Sequence, residues 1–184
     1  MLLLASFAII ACGGEPPDKE IQQAEAAVAA ARTAGAEQYA TDEFAAARDA
    51  LAHARQAVED RDYRLALNRA LDGRERALNA AVQASAGLVA ARSGADNAIS
   101  AAVTALNAAN ATIKSADAAH VSPRALAGPR AGVAAADIRL QEARTAWEKA
   151  DYAAATKAAA TATENLGAMS EDLDALVPSS RRRR

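Results

Sequence analysis

Small apolar residues recur along most of the chain at alternating spacings of three and four, the period of a helix face turned toward a partner. Ile21, Ala24, Val28 and Ala31 predict a first helix from Asp18 to about Thr33, stopped by Gly35. Thr41-Asp42-Glu43 predicts the start of a second, whose seam is Phe44, Ala47, Leu51, Ala54 and Val58. Asp60-Arg61-Asp62 reads as a tight polar turn with Asp62 as N-cap. The third helix begins at Tyr63. Its stripe continues through Ala66, Ala70, Gly73, Ala77, Ala80, Ala84, Gly87, Ala91 and Gly94, all Ala or Gly. The glycines read as contact points where a neighbouring helix comes close, with Ser93-Gly94 as the expected kink. Ile99, Val103, Leu106, Asn110 and Ile113 carry the pattern to about Ala118, and residues from His120 to Pro129 are expected to form a loop. A fifth helix carries Val133, Ala136, Leu140, Ala143 and Trp147. A sixth carries Tyr152, Ala155, Ala159, Ala162, Leu166, Met169, Leu173 and Leu176, and Pro178 ends it.

The chain matches itself at an offset of 89 residues. Leu51, Ala54, Arg55, Glu59, Asp62, Tyr63, Ala66 and Ala70 correspond to Leu140, Ala143, Arg144, Glu148, Asp151, Tyr152, Ala155 and Ala159. The shared unit is helix, Asp-Tyr turn, helix. Each Asp is expected to cap the following helix and each Tyr to bury its ring under the turn. The Asp-Tyr-x-x-Ala pattern resembles tetratricopeptide units, although their 34-residue period is absent. The organisation expected is a signal segment 1–11, a tether 12–17, a first hairpin region 18–92, a connector 93–122, a second hairpin 123–177 and a basic tail 178–184.

Composition narrows the fold class. The hydrophobic fraction of 52% misleads, because 57 of the 184 residues are alanine and aromatics are only 3%. Alanine favours helix but buries little area. The expectation is an all-α protein: an elongated antiparallel bundle of helical hairpins with Ala-rich coiled-coil seams. A net charge of −2 gives no global field for nucleic acid. One cysteine excludes an internal disulfide. Past residue 11 no stretch is long and apolar enough to cross a bilayer.

That cysteine, Cys12, ends the run Leu2–Ala11, which has the length of a secretory h-region. Ile9-Ile10-Ala11-Cys12-Gly13 resembles the bacterial lipobox, in which the cysteine sulfur receives diacylglycerol, the signal is cut before it and the new amino group is acylated. Two or three chains, at about 0.8 kcal/mol per buried methylene, anchor stably. No Lys or Arg precedes Cys12, a departure from the usual signal. Gly13-Gly14-Glu15-Pro16-Pro17 reads as a flexible tether. Gly13, in place of Asp, resembles the sorting signal for the outer membrane of didermal bacteria.

Residues 19–86 contain Gln38-Tyr39-Ala40-Thr41-Asp42-Glu43, Leu51-Ala52-His53-Ala54-Arg55 and Asp62-Tyr63-Arg64-Leu65-Ala66-Leu67. In these motifs the chain resembles the bacterial Ala-rich envelope family called domain of unknown function 4398. The resemblance implies a helical domain behind a lipoprotein signal, sometimes beside a peptidoglycan-binding module. It implies no catalytic residue.

Candidate chemistry is sparse. His53 and His120 are the only histidines, too few for a zinc site without carboxylates, and His53, beside the Leu51/Ala54 seam, reads as a surface or half-buried helix residue. Carboxylates alternate with basic residues, as in Asp72 with Arg76 or Glu142 with Lys149, the pattern of a solvated ion-paired face. Asn110 interrupts an apolar stripe, where a polar residue sets coiled-coil register or lies exposed. Arg181–Arg184 reads as a solvated tail able to touch anionic lipid, peptidoglycan or an acidic partner. The site residues are therefore Cys12 for lipidation and Asp62, Tyr63, Gly73, Gly87, Trp147, Asp151 and Tyr152 for structure. No cofactor, metal, nucleic acid or small-molecule substrate is expected. The expected function is that of a lipid-anchored periplasmic spacer or docking scaffold, partnered by the membrane and by envelope proteins or peptidoglycan. The alternative is an amphiphilic coat protein, like the phasins of storage granules, that keeps its N-terminal segment.

Overall fold

A computed structural model describes residues 14–176, which form an all-α bundle of six helices. They are α1 (Asp18–Thr33), α2 (Ala36–Tyr39), α3 (Thr41–Glu59), α4 (Tyr63–Ala118), α5 (Pro123–Glu148) and α6 (Tyr152–Leu176). The chain divides into two compact units, one ending at Leu88 and one beginning at Val89. Cys12 and Arg181–Arg184 lie outside the described residues.

In the first unit, α1 starts where expected. Asp18 and Glu20 place negative charge in its first turn, against the positive end of the helix dipole, and Arg32 sits in its last turn. Gly35 stops it in the left-handed conformation, φ 85°, which glycine adopts without a Cβ penalty. A four-residue helix, α2, then intervenes before α3; a single turn carries too little periodicity to read from sequence. It earns its place by burying Ala36 fully. The core gathers Ala24, Val28 and Ala31 of α1, Phe44, Ala47 and Leu51 of α3, and Ala77, Ala80 and Ala84 of α4. Phe44 is the one large ring inside it, with the Arg32 guanidinium carbon 5.8 Å from its centroid.

The α4 contribution is all small, and the close approach this permits is measurable. A Cβ on Gly73 would lie 3.3 Å from both the Ala47 carbonyl oxygen and the Leu51 nitrogen of α3. Here one helix backbone rests against another. A Cβ on Gly87 would lie 2.9 Å from Tyr39 Cβ and 3.1 Å from the Tyr39 carbonyl oxygen.

Gly94 departs from the expected stripe. It is exposed, with no neighbour within 4 Å of its would-be Cβ, and Ala95 is the buried residue. The buried run ends its strict heptad at Ala84, and an eleven-residue step leads to Ala95. An undistorted helix drifts from a seven-residue repeat by about 20° per heptad, and an eleven-residue step corrects that drift. Ser93 and Gly94 are helical, within α4. Asn110 is exposed, and Ala109 and Ile113 take the inward positions.

The core of the second unit is more conventional. Ala102, Ala109, Ile113 and Ala116 of α4 meet α5 and α6 around Leu126, Leu140, Leu166 and Leu173, the largest fully buried side chains. The loop expected from His120 to Pro129 is corrected: only residues 119–122 interrupt the helices. Ser122 caps α5, accepting the Ala125 N–H at 3.3 Å, and Pro123 occupies its first position, where a missing N–H costs nothing. Pro129 lies inside α5 and removes one backbone hydrogen bond. Fully buried Leu126 and the Arg130–Asp117 pair, 2.6 and 2.8 Å, hold the helix on either side of it.

The glycines separate packing from propensity. Gly73→Ala is expected to lower stability by about 1–3 kcal/mol, since the methyl meets backbone that cannot rotate away. Gly94→Ala is expected to raise it by up to about 1 kcal/mol through helix propensity alone. Thermal melts of the two variants check both signs.

Candidate functional site

The sequence-expected structural residues cluster at two hairpin turns. At the first, α3 ends in a Schellman cap: the Arg61 N–H donates to the Val58 carbonyl at 3.0 Å, and the Asp62 N–H to the Ala57 carbonyl at 2.9 Å. At the second, Ala150 donates to Trp147 and Asp151 to Ala146, both at 2.9 Å. Arg61 and Ala150 sit at φ 60° and 59°. Each Asp then caps the next helix, its Oδ1 accepting from the Leu65 N–H or the Ala154 N–H at 3.0 Å in both cases. One residue thus closes one helix and opens the next, and this explains a three-residue link. His120, φ 59°, repeats the same C-cap after α4.

Tyr63 and Tyr152 are half-buried, not buried as expected. Both follow their caps at the first helical position. The Tyr152 ring meets Trp147 of α5 edge-on, centroids 6.3 Å apart at 68°. A Cβ on Gly14 would lie 4.0 Å from Tyr63 Cδ2.

Trp147 holds the most elaborate surroundings. The Arg92 guanidinium carbon lies 5.2 Å from its ring centroid, a cation–π contact that sequence reasoning did not find, since the two residues are distant in the chain. Its indole Nε1 is buried and has no hydrogen-bond partner. Beside it is an open hollow of about 270 Å³ lined by Asp96, Ile99, Arg144, Trp147 and Glu148. Its lining carries two carboxylates, Asp96 and Glu148, and one guanidinium, Arg144.

The remaining candidates lie on the surface. His53 and His120 are exposed. Among the described residues no group of three His, Cys, Asp or Glu side chains could hold a metal ion. Asp72 pairs with Arg76 at 2.9 Å as its spacing suggests, and Glu43 also approaches Arg76 at 3.7 Å. Glu142 pairs with Arg139 at 2.7 Å rather than with Lys149. Arg55 reaches from α3 to Glu25 of α1 at 2.7 Å. Such exposed pairs contribute about 0–1 kcal/mol each.

Residues 19–88 match the family described as domain of unknown function, DUF4398. The match ends where the first compact unit ends. No curated protein and no solved structure matches the chain.

Three substitutions at the second turn resolve its parts. Asp151→Ala is expected to cost about 1 kcal/mol by losing the cap. Tyr152→Ala is expected to cost about 2 kcal/mol, below the full-burial range of about 3–5. Ala150→Gly is expected to stabilise by about 1 kcal/mol, because a left-handed L-residue carries a penalty that glycine lacks. Denaturant unfolding of each variant checks the order.

Proposed function

We propose that this chain is a lipid-anchored protein of the bacterial envelope, held at the outer membrane and facing the periplasm, where its helical bundle serves as a non-catalytic spacer or docking scaffold. The observation that carries the reading is Ile9-Ile10-Ala11-Cys12-Gly13 at the end of a short apolar run. A Gly/Pro tether follows and leads to α1 at Asp18. Two or three acyl chains on Cys12 would hold the protein at a membrane without any spanning helix. The bundle suits such a role. Its described interior contains only apolar side chains, and its charges lie outside, available to envelope proteins or peptidoglycan. The DUF4398 resemblance over residues 19–88 agrees with a helical module presented in this way.

Cys12→Ser is the test. The variant is expected to leave the membrane fraction and to accumulate as uncut precursor. Native protein whose intact mass shows residues 1–11 retained and no acyl group on residue 12 would overturn the anchor. That outcome would favour the amphiphilic coat reading, in which the N-terminal segment is kept.

A further inference from the structure

Beside its Ala/Gly seam α4 carries a second stripe, and all of it lies in the first unit. Arg64, Leu67, Leu71, Arg74, Leu78 and Val82 follow one another at spacings of three and four, so they share one face of the helix. Leu71, Leu78 and Val82 are 45%, 51% and 72% exposed, an aligned apolar row rather than scattered single residues. Arg64 and Arg74 are exposed on the same track and form no ion pair among the described residues. Glu75 stands at its margin.

The segment leading into α1 indicates what covers this face. Pro17 is buried and Pro16 half-buried, so the tether expected to be flexible is laid against the bundle before α1 begins. It enters at the head of the stripe: Leu67 shares a surface hollow with residues 15–20, and Tyr63 is the neighbour of Gly14. Cys12 stands two residues before Gly14, which allows at most about 7 Å between their Cα atoms. Acyl chains on Cys12 therefore bring a bilayer to the Arg64–Leu67 end of the track. A helix lying at such a surface sinks its apolar side chains to the acyl boundary and extends its guanidinium groups to the lipid phosphates. Leucine, valine and arginine on one track have that chemistry. Glu15, Asp18, Glu20 and Glu75 offset the nearby Lys19, Arg64 and Arg74, so charge alone does not attach this face. The acyl chains supply the attachment and the stripe supplies the orientation. We propose that the first unit lies along the bilayer with the α4 stripe on phospholipid. The proposal rests on the lipid-anchor reading.

The experiment uses the protein purified from membranes and reconstituted in phosphatidylethanolamine–phosphatidylglycerol vesicles that contain a nitroxide-headgroup lipid. Acylation occupies the Cys12 sulfur, so one engineered cysteine takes a fluorophore alone. Ser85 is exposed on the track, about 27 Å further along α4 than Leu67. His53 is exposed on α3, about two turns before the Asp62 link and so nearer the tether. Labelled Ser85→Cys is expected to be quenched severalfold more than labelled His53→Cys. Adding Leu78→Asp is expected to abolish the difference while circular dichroism stays helical, separating lost contact from lost folding. Quenching of His53→Cys equal to or above that of Ser85→Cys would overturn the proposal, since it describes a unit standing on its tether end. A Ser85→Cys label shielded from the lipid quencher and from aqueous iodide alike would overturn it too, and would assign the stripe to a protein partner. Intact mass, measured first, separates the two readings. An acyl group on residue 12 with either adverse quenching result leaves the anchor standing and removes the stripe. Protein without that group removes both.

Discussion

Close contact between helix backbones governs this structure. Where Gly73 faces Ala47 and Leu51, a single methyl would stand 3.3 Å from backbone atoms of the neighbouring helix, tighter than ordinary contact. Besides Gly73, the buried positions of α4 in the first unit are Ala66, Ala70, Ala77, Ala80 and Ala84, each with no exposed surface. An alanine buries little apolar area, so no single residue contributes much to stability by transfer from water. What short side chains provide is many dispersion contacts at short range, whose sum falls steeply when helices separate. Position along the seam is therefore set by shape more than by hydrophobicity. A seam of this kind tolerates shrinkage better than growth, the opposite of a leucine core.

The turns meet the same constraint at the ends of the helices. Helices lying this close must be joined by very short links, and each link must satisfy the open carbonyls of one helix and the open amides of the next. Asp62 and Asp151 do both with one residue, donating a backbone N–H backward and accepting on Oδ1 forward. The left-handed residue just before each is Arg61 or Ala150, so the local geometry persists without glycine. The 89-residue repeat is thus a repeat of backbone hydrogen bonding as well as of letters.

Much of this was legible in the sequence, and the reasons are local. The limits of α1 and α3, and the start of α4, follow from Asp18, Gly35, Thr41 and Asp62, residues whose capping chemistry acts within one turn. The inward faces of α5 and α6 follow from Leu140, Leu166 and Leu173, because large apolar residues recur there at helical spacing. Elsewhere tertiary contacts outweighed local rules. Gly128-Pro129 signals a break, yet buried Leu126 and the Asp117–Arg130 pair hold the helix through it. Gly94 lies on the heptad track, but the step to Ala95 depends on helix drift accumulated over many residues. The stacking of Arg92 on Trp147 joins residues that only the fold brings together. Of the candidate site, the Asp caps could be read from neighbouring letters, and the half-burial of the two tyrosines could not.

The two units distribute large apolar side chains differently, and this connects packing to function. In the second, Leu126, Leu140, Leu166 and Leu173 are enclosed. In the first, α4 turns its alanines inward and leaves Leu65, Leu71, Leu78 and Val82 at the surface. A helix selected only to stabilise its own unit would place these residues the other way. The close-packed seam forbids it, since a leucine at Gly73 or Ala77 would drive α4 away from α3. Exposed leucines and valines on the outer face are then available for contacts outside the unit, and the seam holds that face at a fixed height and angle. The interior thus sets the spacing of the helices, and the exterior row lies outside that constraint.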